Sequence, residues 1–377
     1  MLTRLRRGLS PFLLPFPLVF LLVFPQQRAT AQQAESDQVQ EVGELQVMTF
    51  MRENSDRVSL VLVHNGEVLA DQQPNQVLPL ASTVKFALAL DVARMSAEGL
   101  LDLNEQVPLA QLALFHLPGT DGGAHPAWIQ SLPQGSQTLT ASLLEVARGM
   151  TMYSSNANTE YIIRRLGRNR LETLGERFGV NPHTMVYPLV GTMWIHKSLP
   201  GPVKDYPSQL RALSDVEYRN LAWAWSDSMA ADVSGSLRER FRLVGLAAQR
   251  VLSDRLPASS AKAYAGLAGS VNRRENFSEA EQQTSAKLLE FMMESPGNQQ
   301  NFRHAGMKGG STGFLLTNCL YATDHDGQQI ELVYFLRDLQ PLEAAALRTG
   351  MNAFELAVVT DENTRKSLAA LFKPDND

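Results

Sequence analysis

The sequence predicts an α+β fold, an antiparallel sheet flanked by helices and joined to an all-helical lobe. Three observations carry that prediction. Apolar, β-branched runs separated by short turns stand near both ends of the chain, which is the pattern of paired strands. A long middle stretch, about 100–300, shows helical rather than alternating apolar spacing. A further helical run closes the chain. Strands from the two ends can then meet in one sheet, with the middle stretch as the second lobe. The chain has 377 residues, 44% of them apolar, enough for a large core and compatible with one two-lobed domain.

The first 31 residues read as a targeting segment. Arg4, Arg6 and Arg7 precede a 14-residue apolar stretch, Pro11 to Phe24, and Ala29-Thr30-Ala31 forms an A-x-A cleavage site. The apolar stretch is short for a membrane span. The expectation is export to a bacterial periplasm or the exterior, cleavage near Ala31 and no stable membrane anchor. Residues 32–42, rich in Gln, Glu and Ser, read as a flexible leader, and residues 43–377 as the folded domain.

Within that domain, Leu45 to Met51 has helical spacing. Val58 to Val63, the Asn65-Gly66 turn and Val68 to Ala70 predict a hairpin. Phe86 to Met95 predicts a buried helix. Helices are also expected over Ser142–Met150, Thr159–Leu166, Leu171–Phe178, Val216–Ala231 and Ser236–Leu252. The proline-rich stretch Asn181–Pro207 has no period and reads as a long functional loop. Strand character returns after Lys308, with Phe314–Thr323 and Ile330–Leu336 joined through Asp324–Gly327. Pro341 then opens a helix to about Val358, and Glu362–Phe372 extends it.

The formal net charge of −5 gives no basic footprint for nucleic acid. One cysteine, Cys319, excludes an intramolecular disulfide framework and reads as a core residue. His116 and His125 lack metal-ligand spacing, so neither a metal nor a cofactor is expected.

Three short motifs carry chemistry. Ser82-Thr83-Val84-Lys85 places a hydroxyl and an amine three residues apart, on one helix face. A serine needs a neighbouring base to become a nucleophile, and a desolvated lysine can serve. In Ser154-Ser155-Asn156, a turn lets the hydroxyl of Ser154 relay a proton and the amide of Asn156 bind a substrate carbonyl and touch Lys85. In Lys308-Gly309-Gly310-Ser311, Lys308 can hold a carboxylate, Gly310 lets substrate approach the backbone, and the N–H of Ser311 with that of Ser82 can form an oxyanion hole.

In this order the motifs read as S-x-x-K, S-x-N and K-[T/S/G]-G. With their flanks, Pro79-Leu80-Ala81 before Ser82 and Met152-Tyr153 before Ser154, the chain resembles the class A β-lactamase family, within the penicillin-recognising serine enzymes, over roughly residues 43–372. The resemblance implies a β-lactamase/transpeptidase-like fold and an exported serine hydrolase. Ser82 would be the acylated nucleophile, Lys85 its base partner and Ser154 the proton relay. Asn156 and Lys308 would bind substrate. The expected partner is a small-molecule β-lactam or a peptidoglycan-like amide, and the expected state is a monomer. A cell-wall D,D-peptidase or a non-turnover β-lactam sensor shares the same motifs.

Two departures stand out. The family's loop glutamate, which activates the deacylating water, has no counterpart, because Arg177 to Lys204 contains no Asp or Glu. Met185-Val186-Tyr187-Pro188-Leu189 stands near the expected place, and His183 and His196 in the same stretch are candidate substitutes. Gly309 replaces the usual hydroxyl residue of the third motif, leaving Ser311 or Thr312 to supply that contact.

Overall fold

The structure is a computed structural model and describes residues 43–374, apart from Leu45 and Gln134. The expected targeting segment and leader lie outside the described residues. Five strands form the main sheet: β1 Val58–His64, β2 Glu67–Gln72, β3 Phe302–Ser311, β4 Leu316–Asp324 and β5 Gln329–Leu336. Their order is β2-β1-β5-β4-β3, and every neighbouring pair is antiparallel. The two ends of the chain meet where β1 pairs β5, with Leu60 opposite Tyr334.

Side-chain alternation along the strands divides two cores. Leu60, Leu62, Met307, Leu332 and Tyr334 face helix α1 (46–53), α9 (Pro341–Thr360) and α10 (Glu362–Leu371). Val61, Cys319, Tyr321, Val333 and Phe335 face the helices of the middle of the chain. A sheet covered on both faces needs apolar side chains in both directions, which explains the unbroken apolar runs. Cys319 lies on β4 and is fully buried.

The middle of the chain contributes α2 (Val84–Ala97), α3 (Leu143–Thr151), α4 (Asn156–Leu166), α5 (Asp215–Ala231), α6 (Leu246–Asp254), α7 (Ala261–Asn272) and α8 (Glu279–Leu289). Helix α2 is buried almost throughout. Its fully buried Asp91 is held by Arg170 at 3.0 Å and Arg177 at 2.9 Å. Two arginines on one buried carboxylate oppose its desolvation, which still raises its pKa, and fix α2, which carries Lys85, to the segment after α4.

Three expectations are corrected. The Lys308 motif does not precede a strand but lies inside β3, with Lys308 opposite Cys319 and Gly310 opposite Thr317. The single helix expected over Ser236–Leu252 is two, Ser236–Arg240 and α6, separated by extended residues 241–245. The stretch Asn181–Pro207 contains the 3-10 turns Gly191–Ser198 and Val203–Asp205 and opens a larger excursion. That excursion is closed at its neck, where Thr184 N–H donates to Ala258 O at 2.9 Å and Ala258 N–H to Thr184 Oγ1 at 2.8 Å. Residues Leu78–Pro79, just before Ser82, pair with Ala258–Ser259 at the same place. Residues 185–257 thus form a closed excursion holding α5 and α6, with its own aromatic core of Trp194, Trp225 and Phe241 at 5.4–5.5 Å between rings.

Candidate active site

The first motif sits where the chain turns into α2. Ala81 has φ +44°, a left-handed conformation that costs a non-glycine residue energy and is held by its surroundings. The hydroxyls of Thr83 and Thr317 do the holding. They lie 2.8 Å apart, and they reach Lys308 O at 3.2 Å and Leu80 O at 2.8 Å, respectively. This buried pair joins the Ser82 turn to β3 and β4. Gly310 completes the contact, since a Cβ there would stand 2.6 Å from Ser82 N and 2.8 Å from Leu80 O. Only glycine lets the edge strand lie so close to the backbone of Ser82. Ser82 is half-buried, and among the described residues its Oγ makes no hydrogen bond.

The second motif is also a strained turn. Ser154 has φ +65°. Ser155 caps α4 by accepting from Asn158 N at 3.2 Å, so Asn156 is the first residue of that helix. The cap rests on a buried cluster in which His125 Nδ1 lies 3.0 Å from Ser155 Oγ and 3.1 Å from Asn158 Oδ1. Burial drives His125 down to about 4, so the ring is neutral at ordinary pH. The middle residue of the motif builds the turn, while its neighbours project into the cleft.

Lys85 joins the two motifs. Its buried Nζ donates to Ser154 O at 2.8 Å, Ser154 Oγ at 3.2 Å and Asn156 Oδ1 at 3.1 Å. Asn156 in turn donates from Nδ2 to Thr120 O at 3.2 Å, tying the loop before α3 to the site. Burial holds the Lys85 amine well below the ordinary lysine range; Lys308 lowers it further and Asp121 opposes. Lys308 is buried as well, donates to Gly309 O at 2.6 Å, and is pushed down to about 7 by desolvation. The low-dielectric cleft and the charge of Lys308 both disfavour the Lys85 ammonium, which makes its amine easier to free as a base.

Two cavities open at Ser82. One, of about 390 Å³, runs along Asp121, Ser154, Asn156, Lys308 and Gly310 to Arg348 on α9. The Nε of Arg348 is buried in the protein without a partner. The other, of about 210 Å³, is walled by the excursion and the end of β3, and none of its lining residues is charged. The structure therefore brings Ser82, Asn156 and Ser311 to both cavities, and Lys85 to Ser154. Thr312 Oγ1 is 2.7 Å from Ser253 Oγ and accepts from Phe314 N at 3.0 Å. It is thereby tied to the excursion, and Ser311 is exposed.

His183 and His196 are not brought to the cleft. His183 is engaged by Thr184 O at 2.7 Å and Tyr264 OH at 3.1 Å. His196 contacts Met193 O at 2.9 Å and stacks with Trp194. Neither lines a cavity at Ser82.

Glu160, Thr83, Thr317, Asp121 and Arg348 are the residues that motif reading missed. Fully buried Glu160 on α4 accepts from Val190 N at 2.8 Å and Gly191 N at 3.1 Å. It therefore anchors the segment that supplies Leu189, Thr192 and Met193 to the uncharged cavity. Burial pushes its carboxyl up to about 7 against those bonds. The only sequence mark of Glu160 is that it is the one acid in the helical run Asn156–Leu166, four residues after Asn156.

Residues 43–304 match the Beta-lactamase enzyme family. No curated protein matches the chain in sequence. Among solved structures, a β-lactamase from Sphaerobacter thermophilus DSM 20745 superposes with TM-score 0.53 at 15% identity, covering 87% of this chain and 98% of that one. One from Chitinophaga pinensis DSM 2588 gives TM-score 0.50 at 15% identity, covering 85% and 99%. A variant of the last common ancestor of the Gram-negative class A enzymes gives 0.50 at 12% identity, covering 85% and 98%. At these identities the likeness establishes a shared fold.

Proposed function

The chain belongs to the Beta-lactamase enzyme family, and from that premise we propose that residues 43–377 form an exported serine hydrolase acylated at Ser82 by β-lactams or a related amide. The observation that carries the reading is Lys85, buried, depressed in basicity and held by Ser154 and Asn156, three residues after Ser82, whose hydroxyl makes no hydrogen bond among the described residues. In the proposed reaction Lys85 accepts the Ser82 proton as Oγ attacks the carbonyl carbon, directly or through the Ser154 hydroxyl. The oxyanion takes hydrogen bonds from the N–H groups of Ser82 and Ser311, a contribution worth about 10²–10³ in rate per donor. The C–N bond breaks as Ser154 returns the proton to nitrogen. Lys308 receives the substrate carboxylate, and Arg348, at the far end of the same cavity, supplies a charge that persists where Lys308 loses its own. Water then cleaves the acyl-enzyme.

A second reading, a cell-wall D,D-peptidase that β-lactams trap, is favoured by one observation: the cavity wall on the excursion side carries no charged residue. Without a positioned base, hydrolysis of the ester is slow. Stopped-flow mixing with a chromogenic cephalosporin tests the proposal. The expected trace is a burst of one product per protein followed by slow steady turnover, absent in Ser82→Ala. No burst, with no protein-bound adduct, contradicts acylation at Ser82.

A further inference from the structure

The larger cavity at Ser82, of about 390 Å³, does not stop at Lys308. It passes round the free edge of the sheet, because β3 is an outermost strand and residues from both its faces line the cavity. Alternation along β3 turns Lys308 and Gly310 toward Ser82, and Met307 and Gly309 toward α9. Gly309 leaves the passage open. A Cβ there would meet nothing closer than Thr317 O at 3.6 Å and Asn318 Oδ1 at 3.7 Å.

Beyond Gly309 the wall is α9. Arg348, Met351 and Glu355 line the cavity at spacings of three and four residues, which is one face of a helix. Among the described residues no acceptor or counter-ion meets the Arg348 guanidinium, and its Nε is buried. Desolvation lowers its basicity, but an arginine keeps its charge. A partly buried cation without a partner is costly. Burial alone pushes Lys308 down to about 7, with no contribution from Arg348, so the two cations mark two places for negative charge. Glu355 accepts from Asn318 Nδ2 and the Tyr334 hydroxyl through one oxygen. Burial pushes its carboxyl up to about 7. Below that pH it is mostly neutral and can donate to an anion. The other acid of the cavity, Asp121, accepts from Gly123 N at 3.2 Å and His125 N at 3.1 Å and acts on Lys85 instead.

Resting on the acylation proposed above, we infer that the arm of the cavity beyond Gly309 is a second anion subsite, in which Arg348 binds an acidic group on the leaving part of the substrate, beyond the carboxylate that Lys308 holds. The substrate class is an acyl derivative of an amino or thio diacid. Ser82 Oγ bonds to the carbonyl carbon and the bond to the leaving nitrogen or sulfur breaks. The serine proton passes through Lys85 and Ser154 to that atom, and the diacid departs with both its carboxylates.

The test uses hippuric acid thioesters of thioglycolate and of mercaptosuccinate, whose leaving groups carry one and two carboxylates. The acyl group is the same, so kcat/KM, read from thiol release at pH 6, compares the leaving parts alone. The mercaptosuccinate ester is expected to react about tenfold faster, the worth of a hydrogen bond to a charged group. Arg348→Met should bring the ratio toward one. Gly309→Thr, for which the strand has room at Cβ, should do the same by filling the passage. Calorimetric binding of both intact thioesters to Ser82→Ala reads the subsite without chemistry. The mercaptosuccinate ester is expected to bind about tenfold tighter, and the double variant with Arg348→Met to lose the difference. If wild type cleaves neither thioester while Ser82→Ala keeps the binding preference, the acylation reading falls and the subsite stands. Absence of tighter binding by the mercaptosuccinate ester, or a preference that survives Arg348→Met, overturns the subsite.

Discussion

Replacing Glu160 by Gln separates the electrostatics of the site's wall from its packing. The two side chains are nearly isosteric, and Glu160 is fully buried. Its carboxyl stands at about 7 rather than 4.5 because burial outweighs the hydrogen bonds from Val190, Ser226 and Gly191. Between those two pH values the folded state holds a proton that the unfolded chain has released. The group's contribution to stability is therefore fully present below the unfolded value and falls as pH rises toward about 7. At about 1.4 kcal/mol per pH unit, the loss between pH 5 and pH 8 is about 2–3 kcal/mol. Glutamine cannot titrate, so the variant lacks this loss. It instead turns an NH₂ toward one of the two N–H donors, an unsatisfied contact worth about 1–3 kcal/mol at every pH. The variant is thus predicted to be less stable than wild type at pH 5 and about equal at pH 8. Urea unfolding of both proteins at both pH values measures it. A wild-type-minus-variant difference that stays the same at pH 5 and pH 8 refutes the reasoning.

Other consequences follow from the same geometry. Because burial pushes the Lys308 ammonium down to about 7, acylation by carboxylate-bearing substrates should fall about 50-fold from pH 7 to pH 9, while an uncharged ester shows no such fall; parallel pH–rate profiles would count against Lys308 as the anion's partner. Gly310→Ala would put a methyl 2.6 Å from both Ser82 N and Thr317 Oγ1, and should slow acylation about 100-fold by shifting β3 from the nucleophile, as measured by burst rates on folded protein. Thr317→Val should cost about 1–3 kcal/mol in urea unfolding, because Leu80 O and the Thr83 hydroxyl lose a buried partner.

What the sequence conveyed well was local. The Asn65-Gly66 turn between β-branched runs marked the first hairpin, and both its strands are present. The apolar run after Phe86 became a helix buried on nearly every side. What it conveyed poorly was decided by residues far apart in the chain. Lys308-Gly309-Gly310 reads as the approach to a strand because glycine is a poor strand former, yet Gly306 and Gly310 sit in β3 where Tyr321 and Ser82 leave no room for a side chain. The excursion escaped periodicity because its neck is made by Leu78–Pro79, well before it in sequence. Glu160 stands in no motif, and only the fold brings the Val190 and Gly191 N–H donors to it. The motif residues themselves were legible because their order is local text; the hydroxyl pair Thr83–Thr317 that aligns them spans 234 residues.

In the proposed reaction Ser82 Oγ is the atom acylated, with Lys85 as its base. Its most direct measurement is peptide mapping after brief exposure to phenylacetyl penam, on wild type, Ser82→Ala and Lys85→Ala. One adduct is expected, on the peptide containing Ser82, absent from Ser82→Ala and formed about 10²–10⁴-fold more slowly in Lys85→Ala. An adduct on any other residue, or one that persists in Ser82→Ala, contradicts it.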